Sequence, residues 1–281
     1  MHQGTELMNS TYPARSVVVG IDGSQAAIAA AEWAIDEAVS RELPLCLIHV
    51  IPEQVEPAPP SSVGNMSIEV EYGETALRTA AAAVAAIGKP VKVENMMLRG
   101  SPSTTLIAES RHADMICVGS VRIGRVARAI LGSTAAELAE SANCPVAIIR
   151  QHRHPEPDNG WIVVAVNDSP GNDNVVQQAM EEAQLRHAPL LALGVWREDL
   201  DEMPYNELDR LVQVWRQRYP SVHIHAAATR TSIADFLAVS DKRVQLTVIG
   251  SAEADRTARL IGPRSHPILG HAECSVLITR D

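Results

Sequence analysis

Short runs of uninterrupted apolar residues alternate along this chain with longer stretches in which apolar positions return every three or four residues. The first run, Val17 to Ile21, is bounded by Arg15 before it and by Asp22-Gly23-Ser24 after it. A run this apolar belongs to a strand in a sheet covered on both faces. The spacing of Ile28, Ala31, Ile35, Ala38 and Val39 then predicts a helix, with Ser24 as its N-cap. Leu45 to Ile51 reads as a second strand, and an alanine-rich helix ends near Ile87. A strand over Val91 to Leu98, a short helix carrying Leu106 and Ile107, a strand over Met115 to Val118, a helix starting near Ser133 and a fifth strand over Val146 to Ile149 complete the series. Between the second strand and the alanine-rich helix, Pro52 to Met66 (PEQVEPAPPSSVGNM) has a composition that resists regular structure, either as a plain loop or as a flexible lid over a nearby cleft.

The pattern then repeats. SVVVGIDGS from Ser16 returns as WIVVAVNDS from Trp161, and both Ile162 minus Val17 and Pro189 minus Pro44 give an offset of 145. VGSV at Val118 answers IGSA at Ile249, and CPVAIIR at Cys144 answers CSVLITR at Cys274, at offsets of 131 and 130. The second half repeats the helical stripe with Val176, Ala179, Met180 and Ala183, and the second strand with Leu190 to Val195. HRHPEPDNG, 152–160, reads as a linker between a domain over 15–151 and a second over 161–281, with 1–14 as a tail. Strands alternating with helices predict, in each half, an α/β fold with an open, parallel, doubly wound five-stranded sheet and right-handed crossovers. In such sheets ligands bind outside the carboxyl ends of the strands where the order reverses. Asp22, Val50 and the stretch from Gly119 converge there. Two copies are also free to diverge, one keeping a site and the other only the shape.

Composition narrows the function classes. A chain of 281 residues suffices for two domains with their own cores, while a net charge of −10 and the lack of any Lys/Arg run argue against a nucleic-acid partner. The first residues lack a basic segment followed by an apolar one, and no apolar stretch nears the roughly 20 residues that span a bilayer, so a cytoplasmic protein without membrane contact is expected. Cys46, Cys117, Cys144 and Cys274 lie in or beside apolar runs with no CxxC pair, which reads as reduced core residues; Cys144 and Cys274 share a repeat position, which also admits a functional pair. His223 and His225 share a strand face that would suit a metal, but no matching carboxylate or cysteine accompanies them, and an ordinary polar face is the simpler reading. His152 and His154 fall in the linker. No metal site is expected.

The chemistry concentrates in GSVRIGRVARAILGST, Gly119 to Thr134. Glycines at both ends of a loop that runs into a helix let backbone amides approach an anion, and Ser120, Ser133 and Thr134 add hydroxyls. Free N–H groups at the helix N-terminus favour a phosphate. Arg122, Arg125 and Arg128 either neutralise part of a polyphosphate or are simply solvated. Ser133 is either a helix cap or a phosphate contact, since both use the same geometry. Asp22 likewise has two readings, one of them a turn residue bonding the amides after it.

VVVGIDGS, LIHVI, ICVGS, LGST and CPVAIIR together resemble the universal stress protein family in its tandem form, over nearly the whole chain. The resemblance implies an adenine nucleotide alpha hydrolase-like fold with a pseudo-twofold tandem repeat. In nucleotide-binding members the phosphate loop follows G-x-x-G, nine residues, then G-S or G-T. Gly119 is the first glycine here and Gly132-Ser133 closes the pattern at the right spacing, but Arg122 stands in place of the second glycine. Either its side chain crowds the phosphates, or the loop shifts so that Gly124 makes the close approach and Arg122 pairs with them. By the same resemblance Gly20 and Asp22 face the base and ribose, the backbone near Val50 contacts the adenine, and ATP, with or without Mg, is the ligand. In the second half Asn167 replaces the aspartate, Glu253 replaces the second glycine, only eight residues precede Gly262, and Pro263 removes a hydroxyl and an amide donor. That half has lost or altered its site, and its ligand is unknown. The resemblance also implies that the strands over Val146 to Ile149 and Val276 to Thr279 meet across the pseudo-twofold.

The function expected is a stress-response sensor that binds ATP chiefly in the first half and acts through an unidentified protein partner, with further homodimerisation open. Catalysis is not required. The alternatives are a nucleotide-free scaffold, and a slow ATPase, which the motif serves poorly because it offers no obvious general base.

Overall fold

The computed structural model describes residues 15–53, 62–120, 122–123, 128–129, 132–150, 160–167, 171–195, 204–231, 233–239, 243–251 and 274–280. The first half runs β1 (Val17–Gly20), α1 (Gln25–Ser40), β2 (Leu45–Ile51), α2 (Ser62–Ile87), β3 (Val93–Arg99), α3 (Pro102–Glu109), β4 (Met115–Ser120), β5 (Arg122–Ile123), β6 (Arg128–Ala129), α4 (Ser133–Ser141) and β7 (Val146–Arg150). The second runs β8 (Trp161–Val166), α5 (Asn172–Leu185), β9 (Leu190–Val195), α6 (Pro204–Arg218), β10 (Ile224–Thr229), α7 (Ile233–Val239), β11 (Val244–Ile249) and β12 (Ser275–Ile278).

The two parallel five-stranded arrays are joined into one ten-stranded sheet, in the order β10-β9-β8-β11-β12-β7-β4-β1-β2-β3. The junction is antiparallel, with Val276 opposite Ile148, Leu277 opposite Ala147 and Ile278 opposite Val146. Within the first half β1 pairs with β2 on one side and with β4 on the other, so the winding reverses between β1 and β4. β8 holds the same place between β9 and β11.

Alternate residues of each strand enter opposite cores. Val17 and Val19 lie in the core that α1, α2, α5 and α6 cover, whereas Val18, Ile116 and Ile148 lie in the one that α3, α4 and α7 cover. Small side chains set the spacing: Ala30, Ala31, Ala34 and Ala38 of α1 are wholly buried.

Several boundaries differ from the sequence reading: β1 ends at Gly20, one residue before Ile21, β7 runs on to Arg150, and β12 is Ser275–Ile278 instead of Val276 to Thr279. β3 starts at Val93, two residues late, and β4 continues through Gly119 and Ser120, which pair with Ile149 and Arg150. Ladder hydrogen bonds extend that strand where the loss of apolar character predicted its end. Ser62 to Met66 belong to α2 and not to the irregular segment, whose 54–61 lie outside the described residues. The segment after β4 contains a small hairpin, Arg122 opposite Ala129 and Ile123 opposite Arg128. The linker apart from Gly160, and the region 252–273 where the second half's last helix is expected, are also outside the described residues.

A buried ion cluster spans the seam on the α1/α5 face. Arg186 bonds Glu182 at 2.9 Å and reaches across to Glu37, while Arg41 bonds Glu37 at 3.2 Å and Asp114 at 3.1 Å. The Arg186 guanidinium lies over the Trp33 ring, 3.9 Å from its centroid. Glu182 and Arg186 are the repeat equivalents of Glu37 and Arg41, 145 residues on. Burial first, and then the Glu37 carboxylate, push Glu182 up to about 8.

Candidate functional site

At the carboxyl end of β1 the chain turns sharply. Ile21 N–H donates to Ile48 O at 2.8 Å, Asp22 Oδ1 accepts from Ser24 N–H at 2.9 Å, and Gly23 takes φ +83°, a conformation that favours glycine. Ser24 then caps α1, accepting from Ala27 N–H at 3.1 Å, as its position predicts. Asp22 is therefore an exposed turn residue that uses one carboxylate oxygen to shape the turn.

Two side chains that sequence reasoning did not single out clamp this turn. His49 is buried beneath it, and its Nδ1–H donates to Ile21 O at 2.7 Å. Tyr72 of α2 lies over it, donating its hydroxyl to Asp22 O at 2.9 Å, and a Cβ at Gly23 would sit only 2.4 Å from the Tyr72 hydroxyl oxygen. The two rings meet edge to face at 5.9 Å. Gly73 lets α2 come this close, since a Cβ there would be 2.6 Å from His49 Cδ2. A glycine beside a lone tyrosine inside an alanine-rich helix was the available signal.

The remaining predicted residues fall into distinct environments. Gly20 is half-buried between Leu106 and Val118, and Val50 is half-buried in β2 opposite Leu98. Gly119 lies at the crevice edge, but the space its side chain would fill is taken by the backbone of α1: a Cβ would be 2.3 Å from the Ala26 carbonyl carbon. Ser120 is buried in the strand beside Arg150. Arg122 contributes backbone to the hairpin, and Gly124 and Arg125 lie outside the described residues.

Gly132 differs from the other described glycines of the site. It is the N-cap of α4 at φ −59° and ψ 149°, it is exposed, and a Cβ there would meet nothing within 4 Å. α4 has no side-chain cap hydrogen bond, so Ser133, exposed at the first helical position, is not the cap its sequence allowed. Uncapped leading amides at an open helix start suit an anion. Thr134 is half-buried behind it.

In the second half the turn after β8 is closed differently. Asn172 accepts from Asn167 N–H at 3.1 Å and donates to Ala165 O at 3.0 Å. A Cβ at Gly250, the counterpart of Gly119, would meet only Val175 Cγ2 at 3.2 Å. Glu253, Gly262 and Pro263 lie outside the described residues.

Among the described residues no cluster of three or more His, Cys, Asp or Glu could hold a metal, and no helix is long and apolar enough to cross a membrane. His223 and His225, both exposed, meet edge to face at 4.5 Å, and Trp161 meets His225 edge to face at 4.8 Å. All four cysteines are free and buried, and burial raises the Cys46 and Cys144 thiols to about 12.

The model of the universal stress protein family matches residues 13–150 and 160–280. The chain belongs to this family. A universal stress protein of Mycobacterium tuberculosis is 51% identical over 267 residues, covering 95% of this chain and 96% of that relative. A second universal stress protein of the same organism is 36% identical over 277 residues, covering 96% of this chain and 98% of its own. A universal stress protein crystal structure from Archaeoglobus fulgidus superposes with a TM-score of 0.69 at 15% identity, covering 94% of this chain and 98% of that one, and shows the shared fold.

Proposed function

We propose that this universal stress protein binds ATP or a related adenine nucleotide in its first half, 15–151, and acts in the cytoplasm as a non-catalytic sensor that passes its occupancy to a protein partner. The observation that supports this reading is the open space around Gly132 at the start of α4, which has no side-chain cap and lies, like the Asp22 turn, on the carboxyl side of the first-half strands. Phosphates would take the α4 amides, and the base and ribose would lie toward Val50 and Asp22. In the second half, 161–281, the Asn172 clasp and the substitutions Asn167, Glu253 and Pro263 argue against an equivalent ligand.

The test is thermal unfolding with and without ATP. At about 100 times its dissociation constant, ATP should stabilise the native state by about 2.7 kcal/mol. Gly132→Val should abolish that gain while leaving the melting temperature of the free protein close to the wild type, because its backbone is already extended and its Cβ meets nothing. No stabilisation of the wild type would reject nucleotide binding and favour a scaffold.

A further inference from the structure

α4 has one end at the candidate phosphate position and the other in the grip of the second half. The last carbonyls of a helix run out of helical donors. Arg280, just beyond β12, reaches this end of α4: Nη2 donates to Ala139 O at 2.6 Å and to Leu138 O at 2.9 Å, the latter also accepting from Ala142 N–H at 3.0 Å. The antiparallel seam explains the reach. Ile278 lies opposite Val146, so the chain leaving β12 passes the entrance to β7, where α4 has just ended. The carbonyl of Arg280 is held in turn by Asn174 of α5, whose Nδ2 donates at 3.0 Å. Arg280, half-buried, closes the CSVLITR run as Arg150 closes CPVAIIR, and Arg150 is buried beside the seam, its N–H donating to Ser275 Oγ at 3.1 Å.

A guanidinium at a helix C-terminus and an anion at its N-terminus each stabilise the same dipole and fix the same rod. At nine residues and 1.5 Å per residue, α4 is only about 14 Å long, so a shift at one end is felt at the other. We propose that Arg280 is a positioning residue for the nucleotide site of the opposite half, holding α4 so that its leading amides meet the phosphates, and that docking of the second half thereby sets nucleotide affinity in the first. This rests on the nucleotide reading of that crevice.

Binding of ATP and of adenosine to the full chain, measured by calorimetry for the wild type, Arg280→Gln and Arg280→Lys, tests it. Arg280→Gln should weaken ATP by about three- to tenfold and leave adenosine unchanged, since only the phosphates touch α4. Arg280→Lys should recover most of the ATP affinity. Equal losses for ATP and adenosine would show a general structural effect and overturn the proposal, as would an ATP affinity equal to that of the wild type. A wild type that binds neither ligand would reject the nucleotide reading itself, and this inference with it. If Arg280→Gln does not fold, Asn174→Ala removes only the bond to the Arg280 carbonyl, and the same selective loss for ATP, about twofold, is expected.

Discussion

Gly119 and Gly132 look alike in the sequence, two glycines at the ends of one loop, yet they are glycines for opposite reasons. At Gly119 the α1 backbone occupies the side-chain position; at Gly132 nothing does. Gly119→Ala should therefore overpack the junction of α1 and β4 and cost about 1–3 kcal/mol. Urea denaturation reads this directly, and an unchanged midpoint would show that α1 can retreat without penalty. The difference was illegible in the sequence because it depends on which element passes overhead. Ser24 was legible because its partner, the Ala27 amide, is three residues away. Tyr72 was not, because its partner is the Asp22 carbonyl, 50 residues back.

The strands and helices were readable wherever apolar spacing is regular, and failed where polar residues carry regular backbone, as in β4 beyond Val118 and in the Arg122 hairpin. The ion cluster between α1 and α5 left a mark that went unread: a Glu-x-x-x-Arg spacing inside an apolar helical stripe, present in both copies as Glu37/Arg41 and Glu182/Arg186. Its energetics depend on pH. The Glu182 carboxyl is raised from an ordinary 4.5 to about 8 by desolvation and by Glu37, so the native state holds a proton that the unfolded chain has released. That contribution is complete below the unfolded value and is lost as pH rises through the folded one. Stability should thus decline between about pH 5 and pH 8, and Glu182→Gln, still able to accept from Arg186, should flatten the decline. An identical slope in the variant, measured by urea unfolding across that range, would place the buried proton elsewhere.

At the level of the whole molecule, the repeat was legible because duplicated sequence implies duplicated structure, whereas the meeting of its last strands was implied by the family resemblance alone. Val146 and Ile148 are wholly buried, and β12 lies directly against the strand that carries them. The first half alone, residues 1–151, would leave that strand unpaired along one edge and Glu37 without Arg186. It should self-associate, replacing β12 with the β7 of a second copy; sedimentation velocity showing a stable monomer at micromolar concentration would contradict this.

Because the strands on either side of that seam run head to tail, their carboxyl ends point away from each other, and the two mouths open on opposite flanks of the molecule. No small molecule can touch both. Whatever docks on one flank therefore does not cover the mouth on the other.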